Sequence, residues 1–236
     1  MANIMILGDT WGIVPSHIWS SNKNLVNWFE YAFLKRGHAT FNKSRGGNQN
    51  HDQLLQAEIF LNATKGTAFE LDLIIWFHTE LIRDMSDGHD KAESRLFLTK
   101  HYDEVIDIVG ERMYKHVTDM KNQFPNTKWA ILGGHAPLLS TKKHMLDWAE
   151  FRIDNLRSKF LGVDVPESQA FEFLERGKGS LWDWPGISEE VIQRELQIKE
   201  QIIELTKDKN IFYNQKHPAL GPLTDLADEI INHFKL

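Results

Sequence analysis

The sequence contains no cysteine. Disulfides, thiol nucleophiles and thiolate metal sites are therefore excluded, and the composition is compatible with a cytosolic setting. No apolar run approaches the roughly 20 residues of a membrane span. No basic stretch followed by a long apolar core opens the chain, so a signal peptide is not expected. Lys and Arg number 27 against 33 Asp and Glu, a formal charge of −6, with the two signs interspersed. There is no basic stripe, so nucleic acid is not an expected partner. Repeats, low-complexity tracts and dividing linkers are also missing, and one domain over 1–236 is the expectation. Aromatics are plentiful, with eight Trp and fourteen Phe. They suit a core or an aromatic-lined cleft.

Short apolar runs alternate with amphipathic stretches. Ile4 to Leu7 reads as a buried strand ending in Gly8-Asp9-Thr10. Asn24 to Arg36 reads as a helix with Leu25, Trp28, Phe29, Ala32 and Phe33 inward and Gly37 as its C-terminal cap. His38 to Asn42 is a second strand, followed by a polar loop, Lys43 to Asn50, built on Gly46-Gly47. Asp52 to Ala63 reads as a helix with Leu54, Leu55, Ile59 and Phe60 inward. The run Leu71 to Phe77, LDLIIWF, is a third strand, apolar enough to be covered on both faces. It opens into His78-Thr79-Glu80 and the charged Arg83-Asp84.

A long helix follows over about 93–124, with an interruption or bend expected near Gly110. Trp129 to Leu132 is a fourth strand, ending in Gly133-Gly134-His135. An irregular insertion spans about 136–186 and closes on the aromatic turn Leu181 to Pro185. Ile187 to Lys207 reads as a helix, Asn210 to Tyr213 as the fifth strand, and Pro222 to Phe234 as the closing helix. This alternation argues for a five-stranded parallel sheet with right-handed crossovers and helices on both faces. In such a sheet, ligands bind beyond the carboxyl ends of the strands, where the polar clusters stand.

The order of those clusters resembles the SGNH, or GDSL-type, hydrolases. The opening Gly8-Asp9-Thr10-Trp11-Gly12 matches that family's GDS block, and Gly47 its glycine block. His78-Thr79-Glu80 falls at its asparagine block, and Asn214-Gln215-Lys216-His217-Pro218 at its D-x-x-H block. The matched order runs from residue 3 to 236. The opening and the W-F-H-T-E block also look like bacteriophage-encoded members of the group. The resemblance implies a flavodoxin-like three-layer sandwich and an esterase or acyl hydrolase without a cofactor. It implies Thr10 as nucleophile, His217 as general base, Asn214 orienting His217, and the N–H groups of Thr10 and Gly47 as oxyanion donors. Asp9 either joins these or shapes the loop. His78, Glu80, Arg83, Asn48 and His135 would read a small-molecule or glycan-linked acyl substrate.

Three positions depart from the family pattern. Thr10 replaces serine, and its methyl restricts χ1 and crowds attack. Glu80 replaces the oxyanion-binding asparagine, where an ionised carboxylate would oppose the developing charge. Asn214 replaces the aspartate that steadies the imidazolium; the comparable loss in a serine protease costs about four orders of magnitude in rate. These departures leave two other readings open: a binding or accessory protein on the same scaffold, and an acyltransferase. Glu80, Arg83 and Asp84 also read as a local ion-pair network. His78, Glu80, His135, Asp9 and His217 have no recognised metal-ligand spacing, so no metal is expected. The expected location is the cytoplasm, of a host cell if the chain is phage-encoded; oligomeric state is not legible.

Overall fold

The structure is a computed structural model that describes residues 1–9, 12, 28–45, 48–79, 84, 91–133, 148–156, 159 and 220–236; at 28, 91–106 and 220–222 it describes the backbone alone. The expected loop 13–23, helix 187–207 and strand 210–213 lie outside these residues, as does most of the insertion.

Five strands form one sheet: β1 (Asn3–Leu7), β2 (Ala39–Asn42), β3 (Leu73–His78), β4 (Lys128–Gly133) and β5 (Phe151–Ile153). Their order is β2-β1-β3-β4-β5 and every neighbouring pair is parallel. This is the flavodoxin-like doubly wound order. The expected α/β class and parallel sheet are thus observed. β1 and β3 are central, and side chains on both of their faces are buried. That is why these strands read as unbroken apolar runs.

Two helical layers cover the sheet. On one face, α1 (Trp28–Lys35) and α4 (Leu220–Phe234) pack Phe29, Phe33, Leu226 and Ile230 against Ile4, Ile6, Ile75 and Phe77. On the other, α2 (Asn50–Thr64) and α3 (Lys91–Gln123) pack Leu54, Ala57, Leu61, Met113 and Val117 against Met5, Leu7, Ile74 and Trp76. The period-2 alternation of β1 and β3 sorts their side chains between the layers. α1 ends as expected at Gly37, whose φ is +83°. The N–H groups of His38 and Gly37 close on the carbonyls of Phe33 and Leu34. That is the Schellman pattern, which a glycine at positive φ permits.

Three expectations are corrected. First, the fifth strand of the observed sheet is Phe151–Ile153, inside the segment read as irregular. It is three residues long and only half-buried, too short to show a periodicity. The carboxylate of Glu150 accepts the Trp129 N–H, its own N–H donates to the Trp129 carbonyl, and it pairs with Lys121 of α3. These partners, distant in sequence, bring the strand to the edge of β4. Second, the interruption expected near Gly110 is absent: α3 runs as one helix through it over 33 residues. A mid-helix glycine costs only about 1 kcal/mol, and Met113, Val117 and Met120 anchor the turns beyond it in the core. Third, Leu55 and Ile59 face outward, 40% and 59% exposed. The inward stripe of α2 is Asn50, Gln53, Leu54, Ala57 and Leu61, with Phe60 packed at its margin. Counting apolar residues picks the wrong stripe because two of the inward positions are polar.

Candidate functional site

The chain leaves β1, makes β2 beside it, and returns on the other side as β3. The crevice at this reversal, beyond the carboxyl ends of β1 and β3, is where doubly wound sheets bind ligands. Gly8-Asp9 exits β1 there and His78-Thr79 exits β3. The register Leu7↔Trp76 sets the two exits level. The buried Thr79 hydroxyl donates to the Asp9 carboxylate at 3.3 Å, across 70 residues of sequence.

The segment after β1 is packed without spare room. A Cβ on Gly8 would stand 2.9 Å from the Cβ of Phe77, and one on Gly12 would stand 2.1 Å from the Ser44 hydroxyl oxygen. Only glycine fits at either place. The Gly12 N–H donates to the Asp9 carbonyl at 3.1 Å, tying the two ends of 9–12 together. Asn42, at the end of β2, donates from Nδ2 to the Gly12 carbonyl at 2.8 Å and to the Glu30 carboxylate at 3.2 Å. The segment is thereby attached to both β2 and α1.

The segment after β3 is attached to α2. The Asn50 amide donates to the Thr79 carbonyl at 2.7 Å, and its oxygen accepts the Thr79 N–H at 2.9 Å. The second Nδ2 hydrogen goes to Asp84 at 2.9 Å. The other Asp84 oxygen accepts the His51 N–H, in the first turn of α2, at 2.7 Å. Gln49, the residue before α2, makes no side-chain cap, so Asp84 supplies one from outside the helix. Burial pushes the Asp84 carboxyl up from 3.8 to about 6, more than its hydrogen bonds to the His51 N–H and to Asn50 lower it.

His78 points to the α2–α3 side, with its ring 5.2 Å from that of Trp76. It is 5% exposed, and burial lowers its pKa from 6.5 to about 3. The imidazole is therefore neutral across the physiological range. Among the described residues its Nδ1 has no hydrogen-bond partner, and neither does the amide of the fully buried Gln53 nor the indole N–H of Trp76. Trp148 stacks on Trp76 at 6.4 Å and meets Trp129 edge-on at 5.5 Å. A neutral ring with an open nitrogen can accept or donate according to its tautomer.

Of the residues read from sequence, Asp9, Asn48, His78 and Asp84 are described, and Asp9 and His78 stand at the two central strand exits. Asn48 lies in the turn after β2, where its N–H donates to the Arg45 carbonyl and its Nδ2 is buried without a partner among the described residues. Thr10, Gly47, Glu80, Arg83, His135, Asn214 and His217 lie outside the described residues. Sequence reasoning missed Asn50 and Gln53. The available signal was their spacing: they share a helical stripe with Leu54, Ala57 and Leu61. Among the described residues, no group of three His, Asp or Glu gathers as metal ligands, and no helix is long and apolar enough to cross a membrane.

No protein-family model matches the chain, and no curated protein matches it. Solved structures do show similarity. A protein described as a GDSL-like lipase from Parabacteroides merdae aligns over 99% of this chain and 95% of its own, at 12% identity and a TM-score of 0.43. The acetylxylan esterase Axe2 from Geobacillus stearothermophilus aligns over 100% and 94%, at 10% identity and a TM-score of 0.43. The acetyl xylan esterase AlAXEase aligns over 98% of each chain, at 11% identity and a TM-score of 0.40. The fold assignment itself rests on strand order and register.

Proposed function

We propose that the chain is an SGNH-like ester or acyl hydrolase working beyond the carboxyl ends of β1 and β3. The observation that carries this reading is the level exit of Gly8-Asp9 and His78-Thr79, joined by the Thr79–Asp9 hydrogen bond at 3.3 Å. The GDTWG segment thereby starts at the crevice where this fold binds ligands.

In this reading the Thr10 hydroxyl attacks the acyl carbonyl carbon while His217 takes its proton. The N–H groups of Thr10 and Gly47 hold the oxyanion. The tetrahedral adduct collapses, the C–O bond to the leaving alcohol breaks, and His217 returns the proton to that alcohol. Water then attacks the acyl-enzyme by the same route and regenerates Thr10. Asn214 orients His217, and Asp9 shapes the turn. Glu80, Arg83, Asn48, His135 and the neutral His78 line the acyl or leaving-group side. The substrate is a small-molecule or glycan-linked ester, and the setting is cytoplasmic.

The test is fluorophosphonate labelling followed by intact-mass measurement and peptide mapping. Residue 10 is expected to label, more strongly in Thr10→Ser, and His217→Ala is expected to abolish labelling and ester turnover together. Undiminished turnover in His217→Ala would overturn the mechanism. The threonine, glutamate and asparagine at the three departing positions favour one second reading, a binding protein on the same scaffold. Absence of labelling in both wild type and Thr10→Ser would select it.

A further inference from the structure

We propose that Asn50 is a positioning residue: its side-chain amide holds both the N–H and the carbonyl of Thr79 and so fixes the β3 exit against the β1 exit. Its place in catalysis rests on the acyl-hydrolase reading; the grip itself rests on hydrogen bonds alone.

Asn50 is fully buried at the first turn of α2. Its amide oxygen accepts the Thr79 N–H at 2.9 Å and its Nδ2 donates to the Thr79 carbonyl at 2.7 Å. A side-chain amide thereby gives Thr79 the pair of bonds that a neighbouring strand would give. Thr79 lies one residue beyond β3, just past the last described pair with β4, His78↔Gly133. The Thr79 hydroxyl then holds the Asp9 carboxylate at 3.3 Å.

The orientation of the amide is not ambiguous. Its nitrogen faces two oxygens, the Thr79 carbonyl and Asp84 Oδ2 at 2.9 Å, and its oxygen faces an N–H. A flipped amide would set oxygen against both acceptors. Asp84 selects the working orientation, and through the His51 N–H at 2.7 Å it ties that choice to the α2 backbone. The order of dependence is Asp84, Asn50, Thr79, Asp9, which joins α2 to the ends of β3 and β1. A displacement of about 1 Å in such a frame can cost about a hundredfold in rate.

The experiment is residue-resolved amide hydrogen exchange on wild type and Asn50→Ala, with ester turnover measured on the same samples using p-nitrophenyl acetate. In Asn50→Ala, Thr79 exchange is expected to quicken at least about tenfold while that of Ile75, inside β3, is unchanged. The kcat is expected to fall at least about tenfold with KM held within about twofold. A general loss of structure would instead quicken Ile75 as well. Unchanged Thr79 exchange in a folded variant, or quickened exchange with unchanged kcat, would overturn the proposal. If Asn50→Ala does not fold, Asp84→Asn takes its place: it removes one acceptor from the frame and is held to the same two outcomes. If wild type neither labels with fluorophosphonate nor turns over ester, the hydrolase reading fails, and Thr79 exchange alone still decides the grip.

Discussion

Replacing His78 by leucine should make the protein less sensitive to mild acid, and the structure sets the size of the effect. The ring is 5% exposed, and burial holds its pKa at about 3 against 6.5 when exposed. A histidine whose folded pKa is depressed contributes stability that is intact above 6.5 and is lost as pH falls toward 3. At pH 5 the unfolded chain has taken up the proton and the folded chain has not. The loss is 1.5 pH units at 1.36 kcal/mol each, or about 2 kcal/mol. For a domain stable by about 5–15 kcal/mol, that is a large share. Leucine is similar in volume, apolar and without a proton to gain. The assay is urea unfolding followed by tryptophan fluorescence at pH 7.5, 6 and 5 for both proteins. With a urea slope of about 2 kcal/mol/M, the His78→Leu midpoint should gain about 1 M on wild type between pH 7.5 and 5. A constant difference between the two midpoints at all three pH values would refute the buried, neutral assignment.

Asp84→Asn should show the opposite slope. The Asp84 carboxyl is raised from 3.8 to about 6, so its contribution is intact below 3.8 and is lost as pH rises through 6. The variant should therefore gain about 3 kcal/mol on wild type between pH 3 and pH 7, read from paired urea curves; parallel curves would count against the burial of that carboxyl. Gly12→Ala places a methyl 2.1 Å from the Ser44 Oγ and 2.7 Å from its Cβ. A loss of about 1–3 kcal/mol is expected from overpacking. Adding Ser44→Gly removes both atoms and should restore most of it in a double-mutant cycle; simple additivity of the two changes would show that the clash is not the cause.

The legible parts of the fold are those with strong, continuous patterns. Ile4–Leu7 and the run into Trp76-Phe77 are apolar on both faces because each strand lies between two helical layers, and that burial leaves its mark directly in sequence. The closing helix shows itself by Leu223, Leu226, Ala227 and Ile230 on one stripe, and that stripe faces the core. β5 left no comparable mark: it is a half-buried edge of three residues, held by Glu150 and Lys121. The inward face of α2 was misread because Asn50 and Gln53 occupy buried positions that pattern counting reserves for apolar side chains.

The candidate site divides in the same way. Sequence alone determined that polar residues follow each apolar strand, and that Gly8 and Gly12 stand close to Asp9, because turns and strand ends demand those residue types locally. It could not determine which strand ends meet. The order β2-β1-β3-β4-β5 made neighbours of Asp9 and Thr79, 70 residues apart, and brought the Asn50 amide onto the Thr79 backbone. Those choices depend on non-local pairing and on the need to satisfy every buried N–H and C=O, so only the folded chain decides them.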